Sequence, residues 1–219
     1  MFQDNKPIFE FRGPWGVPVQ VGASLFLLML LFVDFGGAPR DFAFDMMFFA
    51  ILIGSIYLHE LGHAWGCLIQ GVPVRRVMIY GGGGFCEPTR SGSRSEQELI
   101  VAMGPIVNLF LWAVAGLIAP MIADPEINWV FRTMQWVNGF LFILNMLPVH
   151  PLDGGKLFEL ALHRFLPGEV AVTISATLGL ILAIIWIPLM ALMFVQIGVV
   201  LLFLPSVRLH WQMLRQRKP

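Results

Sequence analysis

The chain has 219 residues, of which 57% are hydrophobic and 13% charged, and its mean hydropathy is +0.75. A soluble fold of this size cannot bury that much apolar surface, so the composition predicts an integral membrane protein and excludes disorder. Lys and Arg number 14 and Asp and Glu 14, a balance without basic surplus that disfavours nucleic-acid binding.

Residues 1–20, MFQDNKPIFEFRGPWGVPVQ, mix polar and aromatic side chains and lack the pattern of a cleavable leader. The first apolar run is therefore expected to stay as a membrane helix. Six spans are read in chain order: Val19–Phe35, short and closed by Asp34; Phe44–Ile69; Leu99–Ile122; Trp129–Leu147; and two from the 35-residue apolar run Val170–Leu204. One span needs about 20 residues, so a break near Trp186–Ile187–Pro188 is expected to divide that run. Between spans two and three, VPVRRVMIYGGGGF places β-branched residues before four glycines, the signature of one or two short strands with a glycine turn. A polar loop, SGSRSEQE, follows. The expected fold class is an all-α membrane protein of six transmembrane helices, with a short β element between helices two and three. A single domain over 1–219 is expected, with no internal repeat.

Positive charge supports this count. With the N-terminus inside, the inside segments hold 12 cations: Lys6, Arg12, Arg75, Arg76, Arg90, Arg94, Lys156, Arg164, Arg208, Arg215, Arg217 and Lys218. The outside segments hold 2, Arg40 and Arg132. A single span over 170–204 would reduce the contrast to 8 against 6. Both termini are thus expected in the cytoplasm.

Span two contains His59-Glu60-Leu61-Gly62-His63. Histidines at i and i+4 share one helical face, so both imidazoles can reach one metal ion. The adjacent glutamate can take a proton from water beside that metal. Ionisable groups inside an apolar span are costly and usually functional. A catalytic zinc needs a third protein ligand and an open position. The metzincin spacing would put a third histidine at 69, where Ile69 stands, so that class is rejected. Asn145-Met146-Leu147-Pro148-Val149-His150-Pro151-Leu152-Asp153-Gly154-Gly155 is the candidate source: a proline-broken segment at membrane depth must be buried or line a wet cavity. Asp153 there either completes a His2Asp site or caps a helix over Gly154–Leu166.

HELGH in an apolar helix, with the later N-x-x-P-x-x-x-x-D-G-G, resembles the site-2 proteases, the intramembrane zinc metalloproteases of peptidase family M50. Gly104-Pro105-Ile106-Val107-Asn108 and the glycine-rich Gly81–Gly84 match further segments, and the resemblance runs from about Val19 to Leu204. It implies one zinc per chain held by His59, His63 and Asp153, with Glu60 as general base and acid. Asn145 is implied to hold the substrate carbonyl or its oxyanion. Asn108 is expected to shape a close helix contact with Gly104 and Pro105. The resemblance also implies a membrane-associated β element and peptide-bond hydrolysis in or near transmembrane segments. The implied substrate is a single-pass membrane protein, already shortened, reached from the lipid bilayer. His150 stands where the family commonly has proline; a partner of the metal site, a substrate contact, a pH-sensitive group and a neutral wall residue all remain open. Many relatives carry a PDZ or CBS domain, for which these 219 residues leave no room.

Cys67, four residues after His63, reads as a small buried apolar residue, and Cys86 as a reduced thiol in the cytoplasmic loop. Trp129, Trp136, Trp186 and Trp211 read as interface anchors, and Arg215–Lys218 as a contact to anionic lipid. His163 and His210 receive no role. The charge topology places His59–His63 and Asp153 towards the cytoplasmic face of the cell membrane. Val74–Tyr80 is expected to bind an unwound substrate by edge pairing. Two other functions compete. A membrane metal-ion transporter also uses intramembrane His and Asp, but needs polar groups leading to both faces. A catalytically inactive relative that binds membrane segments would not need Glu60.

Overall fold

The computed structural model describes residues 7–197, 203 and 205–215. Lys6, Arg217 and Lys218 of the charge count, and Leu204 at the end of the apolar run, lie outside the described residues. The chain divides into two compact units, 1–142 and 143–219.

The first unit opens with β1 (Pro7–Arg12) and β2 (Pro18–Gly22). Helices α1 (Ser24–Phe32) and α2 (Pro39–Leu68) follow, then β3 (Val74–Tyr80) and β4 (Gly83–Pro88). The strands form one sheet in the order β1-β2-β3-β4. Its outer pairs are antiparallel, and β2 runs parallel to β3 with Val19 opposite Val77. Gly83 has φ +121°, a backbone conformation that the turn into β4 can give only to glycine without strain. One face of the sheet lays Val17, Val19, Val77 and Ile79 against Ala64 of α2. A polar row crosses all four strands. In it Gln20 donates to Glu10 (2.7 Å), Arg76 donates to Gln20 (2.9 Å), and Arg76 and Arg75 both donate to Glu87 (2.7 and 2.8 Å). Cross-strand pairs of this kind contribute about 0.2–1 kcal/mol each.

Two sequence expectations change here. The segment assigned to the start of a first span is strand β2, because V-P-V-Q-V alternates with a period of two and lays Val17 and Val19 into the sheet core. The helix that remains, α1, has nine residues and a length of about 14 Å, short of the about 30 Å hydrocarbon core. Strand β3 has a neighbour on each side, so Val74–Tyr80 offers no edge for an added strand.

Helix α3 (Arg94–Ile118) starts on a capping box in which Ser93 and Glu96 satisfy each other's backbone N–H. It packs closely on α2. A methyl group on Gly62 would stand 2.6 Å from Met103 O, and one on Gly66 3.1 Å from Ile100 Cα. Small residues allow this approach of two helix backbones. Helix α4 (Pro125–Asn145) returns along α3, Gly139 lying under the Trp112 ring.

The second unit contains residues 146–152, then α5 (Asp153–Leu162), α6 (Gly168–Ile197) and α7 (Val207–Arg215). Pro148 and Pro151 end the helical ladder, and short bonds Val149 N–H to Leu147 O (2.7 Å) and Leu152 N–H to Val149 O (2.9 Å) coil the segment. The His150–Pro151 peptide is cis. Gly154 and Gly155 back directly onto this coil: a methyl group on Gly155 would lie 2.6 Å from Val149 C. The expected break at Trp186–Ile187–Pro188 is absent, since α6 continues through Pro188. Phe203 nonetheless lies beside Trp186, whose Nε1–H donates to its carbonyl (2.9 Å). Among the described residues, three helical stretches are long and apolar enough to cross a membrane: Pro39–Leu68, Arg94–Met121 and Gly168–Leu192.

Candidate metal centre

In the first unit His59, Glu60 and His63 occupy one buried turn of α2. The two imidazoles face each other with Nε2 atoms 3.1 Å apart. Their protonation follows from their other partners. His63 Nδ1 meets the Ile100 carbonyl at 2.7 Å; a carbonyl only accepts, so Nδ1 carries the proton and Nε2 the lone pair. His59 Nδ1 lies 2.5 Å from Asn108 Oδ1 and donates to it. An N–H···N bond between the rings would require a charged imidazolium inside an apolar helix pair, which is costly. A cation resolves the same geometry at no such cost. Two nitrogens bound tetrahedrally to one zinc at about 2.1 Å stand about 3.3–3.4 Å apart, close to the separation observed.

Gly104 of α3 makes room for this pair. A methyl group there would collide with both imidazoles, coming within 2.7 Å of His59 Nε2. Glu60 lies beneath strand β4: a methyl group on Gly84 would stand 2.6 Å from its Cγ and 2.9 Å from its Oε1. Position 84 is thus a backbone-only roof over the carboxylate. Cys67 and Cys86 are neighbours. Hydrogen bonding to Cys67 and burial push the Cys86 thiol well above its ordinary range, and Cys86 lies in strand β4 rather than in a loop.

In the second unit Asn145 is the last residue of α4 and half-buried. Asp153 is the first helical residue of α5, following Leu152 at the cap position. It is therefore in the first turn, where a carboxylate is favoured by the helix dipole, and is not the N-cap. His150 has a distinct partner: its Nε2 lies 3.1 Å from Glu159 Oε2. That contact, together with the nearby His163 and Lys156 charges, holds the Glu159 carboxyl below its usual range, against the opposing effect of burial. His210 is fully buried, donates Nδ1–H to Ser206 O (2.8 Å) and accepts the His150 backbone N–H at Nε2 (3.1 Å). Burial lowers its pKa, against the opposing effect of the hydrogen bond to the Ser206 carbonyl.

Sequence reasoning did not assign Ser55, Asn138, Glu159 or His210. The only signal available for the first two was a polar residue at helical spacing within an apolar span.

A family model, Peptidase family M50, matches residues 47–123 and 113–186. A zinc metalloprotease of Methanocaldococcus jannaschii, MJ0392, is 26% identical over 172 residues, covering 78% of this chain and 50% of that protein. Stage IV sporulation protein FB of Bacillus subtilis is 30% identical over 122 residues, covering 55% and 42%. The putative zinc metalloprotease Rip3 of Mycobacterium tuberculosis is 31% identical over 156 residues, covering 68% and 40%. The chain thus spans about half the length or less of these relatives. The structure of a site-2 protease from Methanocaldococcus jannaschii superposes with a TM-score of 0.63 at 20% identity, covering 94% of this chain and 92% of that one. That likeness shows the fold, and the family match extends over most of the sequence, both histidines and the Asn145–Gly155 segment included. The chain belongs to peptidase family M50.

Proposed function

We propose that the protein is an intramembrane zinc metalloprotease that hydrolyses peptide bonds in or near transmembrane segments of membrane-protein substrates. The observation that carries this reading is the His59–His63 pair, with both Nδ1 positions committed and the two Nε2 atoms 3.1 Å apart. Asp153 is the third ligand in this reading. A carboxylate suits the oxygen position of a His2Asp set, and its D-G-G context matches the second signature of the resemblance. When bound, zinc would supply Lewis-acid polarisation of the scissile carbonyl and acidify a water molecule. Glu60 accepts the proton of the attacking water at its carboxylate and delivers it to the leaving amine. Asn145 donates its amide N–H to the oxygen on which negative charge grows.

A substrate helix hides its peptide bonds and must unwind first. Strand β4 is the sheet edge next to Glu60, and an extended segment added there would bring its carbonyls close to the base. Proline placed in turn across Gly83–Pro88 should lower cleavage without loss of zinc; unchanged cleavage throughout would sink this docking mode. The substrate is a single-pass membrane protein already shortened on its outer side. The distribution of Lys and Arg supports a six-span arrangement with cytoplasmic termini and a site towards the cytoplasmic face of the cell membrane.

Metal analysis of the purified protein tests the reading. About one zinc per chain is expected, retained in Glu60→Gln and weakened or lost in Asp153→Ala. A folded native protein without zinc overturns the assignment.

A further inference from the structure

Three polar side chains are buried in the α2–α3–α4 packing behind the imidazole pair: Ser55, Asn108 and Asn138. Hiding amides in apolar surroundings is costly unless each polar atom is matched. They form one chain of bonds whose direction is fixed at its far end. Asn138 Nδ2 lies 2.9 Å from Met134 O and 3.0 Å from Ser55 Oγ. A backbone carbonyl only accepts, so the NH2 group of Asn138 must face Met134 and its Oδ1 must face Asn108. Asn108 Nδ2 then donates to that oxygen (2.8 Å). This leaves Asn108 Oδ1 towards His59, where it can only accept. His59 Nδ1 must therefore carry the proton.

We infer that Asn138 is a positioning residue that, through Asn108, fixes His59 in the Nδ1–H tautomer and so aims the Nε2 lone pair at the metal. The inference deepens the proposed function, since it takes His59 to be a metal ligand. An amide is a sound orienter only if it cannot rotate. Asn108 alone could turn by 180° and offer its NH2 group to His59, which would move the ring proton to Nε2 and block ligation. Asn138 removes that option, and the Met134 carbonyl removes it for Asn138 in turn. His63 needs no such device, because its partner is a backbone carbonyl. Partners of this outer kind typically govern about 10- to 100-fold in metal affinity.

The test reads histidine tautomers by nitrogen NMR in the metal-free, detergent-solubilised full chain, together with zinc affinity. In the native protein both His59 and His63 should be Nδ1–H tautomers. In Asn138→Leu, His59 should move to a mixture containing the Nε2–H form and zinc should bind about 10- to 100-fold more weakly, while His63 stays unchanged as an internal control. Adding Asn108→Asp to Asn138→Leu should restore both readouts, because a carboxylate accepts from either side and has no wrong orientation. An Nε2–H form of His59 in the native protein overturns the inference without any variant. So does a folded Asn138→Leu protein with native tautomer and native zinc affinity. Native protein that binds no zinc overturns the proposed function instead. Protein that binds zinc with the expected tautomers but cleaves nothing leaves this inference standing and removes only the protease reading.

Discussion

Each unit holds histidines, and the two sets are wired differently. In the first unit, His59 and His63 donate to neutral acceptors, an amide and a backbone carbonyl, and keep their Nε2 lone pairs towards each other. In the second unit, His150 shares the Glu159 carboxylate, while His210 is spent on backbone groups at both nitrogens. Neutral orienters leave an imidazole able to ligate. His150 is turned to an acid of its own unit, and backbone satisfaction at both nitrogens makes His210 a structural cross-link. Residue type is the same; the partner on the far nitrogen decides the chemistry.

Removing the base separates ligation from catalysis most sharply: Glu60→Gln should lower the cleavage rate by about 10²- to 10⁴-fold while zinc is retained. Next in size is a matched pair of glycine substitutions, each forcing a methyl group into an imidazole. Gly104→Ala collides with both His59 and His63 and should cost most of the zinc affinity. Gly179→Ala collides with His210 and should leave zinc at one per chain. Overpacking costs about 1–3 kcal/mol, and for a chain of this size each kcal/mol lowers Tm by about 2–4 °C. Equal zinc loss in both would dissolve the distinction between the two sets.

The smallest effect is pH-dependent and belongs to the second unit. The pKa of His210 is lowered on folding, so the unfolded chain takes up the proton first. The stability tied to neutral His210 is complete above about pH 6.5 and is lost as pH falls below that value. Glu159 is also depressed, so its contribution is complete above the ordinary carboxylate range and lost as pH falls through its folded value. Thermal melts from pH 7.5 downwards should therefore show decline beginning near 6.5. His210→Gln, which keeps an acceptor for His150 N–H, should flatten that first part, and Glu159→Gln only the more acidic part. A decline that begins near 6.5 equally in both variants and the native chain would show that another group controls it.

The closeness of His59 and His63 was legible in the sequence because residues four apart on one helix share a face without any knowledge of the fold. The strand pair β3–β4 was legible for a similar reason: alternation and a glycine turn are local. The N-terminal strands were missed because a hydropathy window merges Val19 with the apolar run that follows, although Val17 and Val19 alternate as a strand does. Asn108 was read as a helix contact, and its bond to His59 became visible only when α2 and α3 were packed together. Asn138 and Ser55 carried no motif at all, since a network across three helices leaves no spacing rule in one dimension. His210, sixty residues from the backbone group it accepts, was hidden for the same reason.

The parallel pairing of β2 with β3 sets an order of events during synthesis. Val19 cannot meet Val77 until both α1 and α2 have been made, so the HELGH helix exists before its sheet closes. The roof over Glu60 at Gly84 emerges 24 residues later, about 1–5 s at ordinary translation rates. Ile100 and Asn108 arrive after it, and Asn138 after them. The imidazoles are thus made early; His63 receives its partner when α3 packs, and the chain of bonds behind His59 is completed last, when Asn138 of α4 docks. Until then the orientation of His59 is unfixed, and the final arrangement of the imidazole pair is acquired as a late step of membrane assembly.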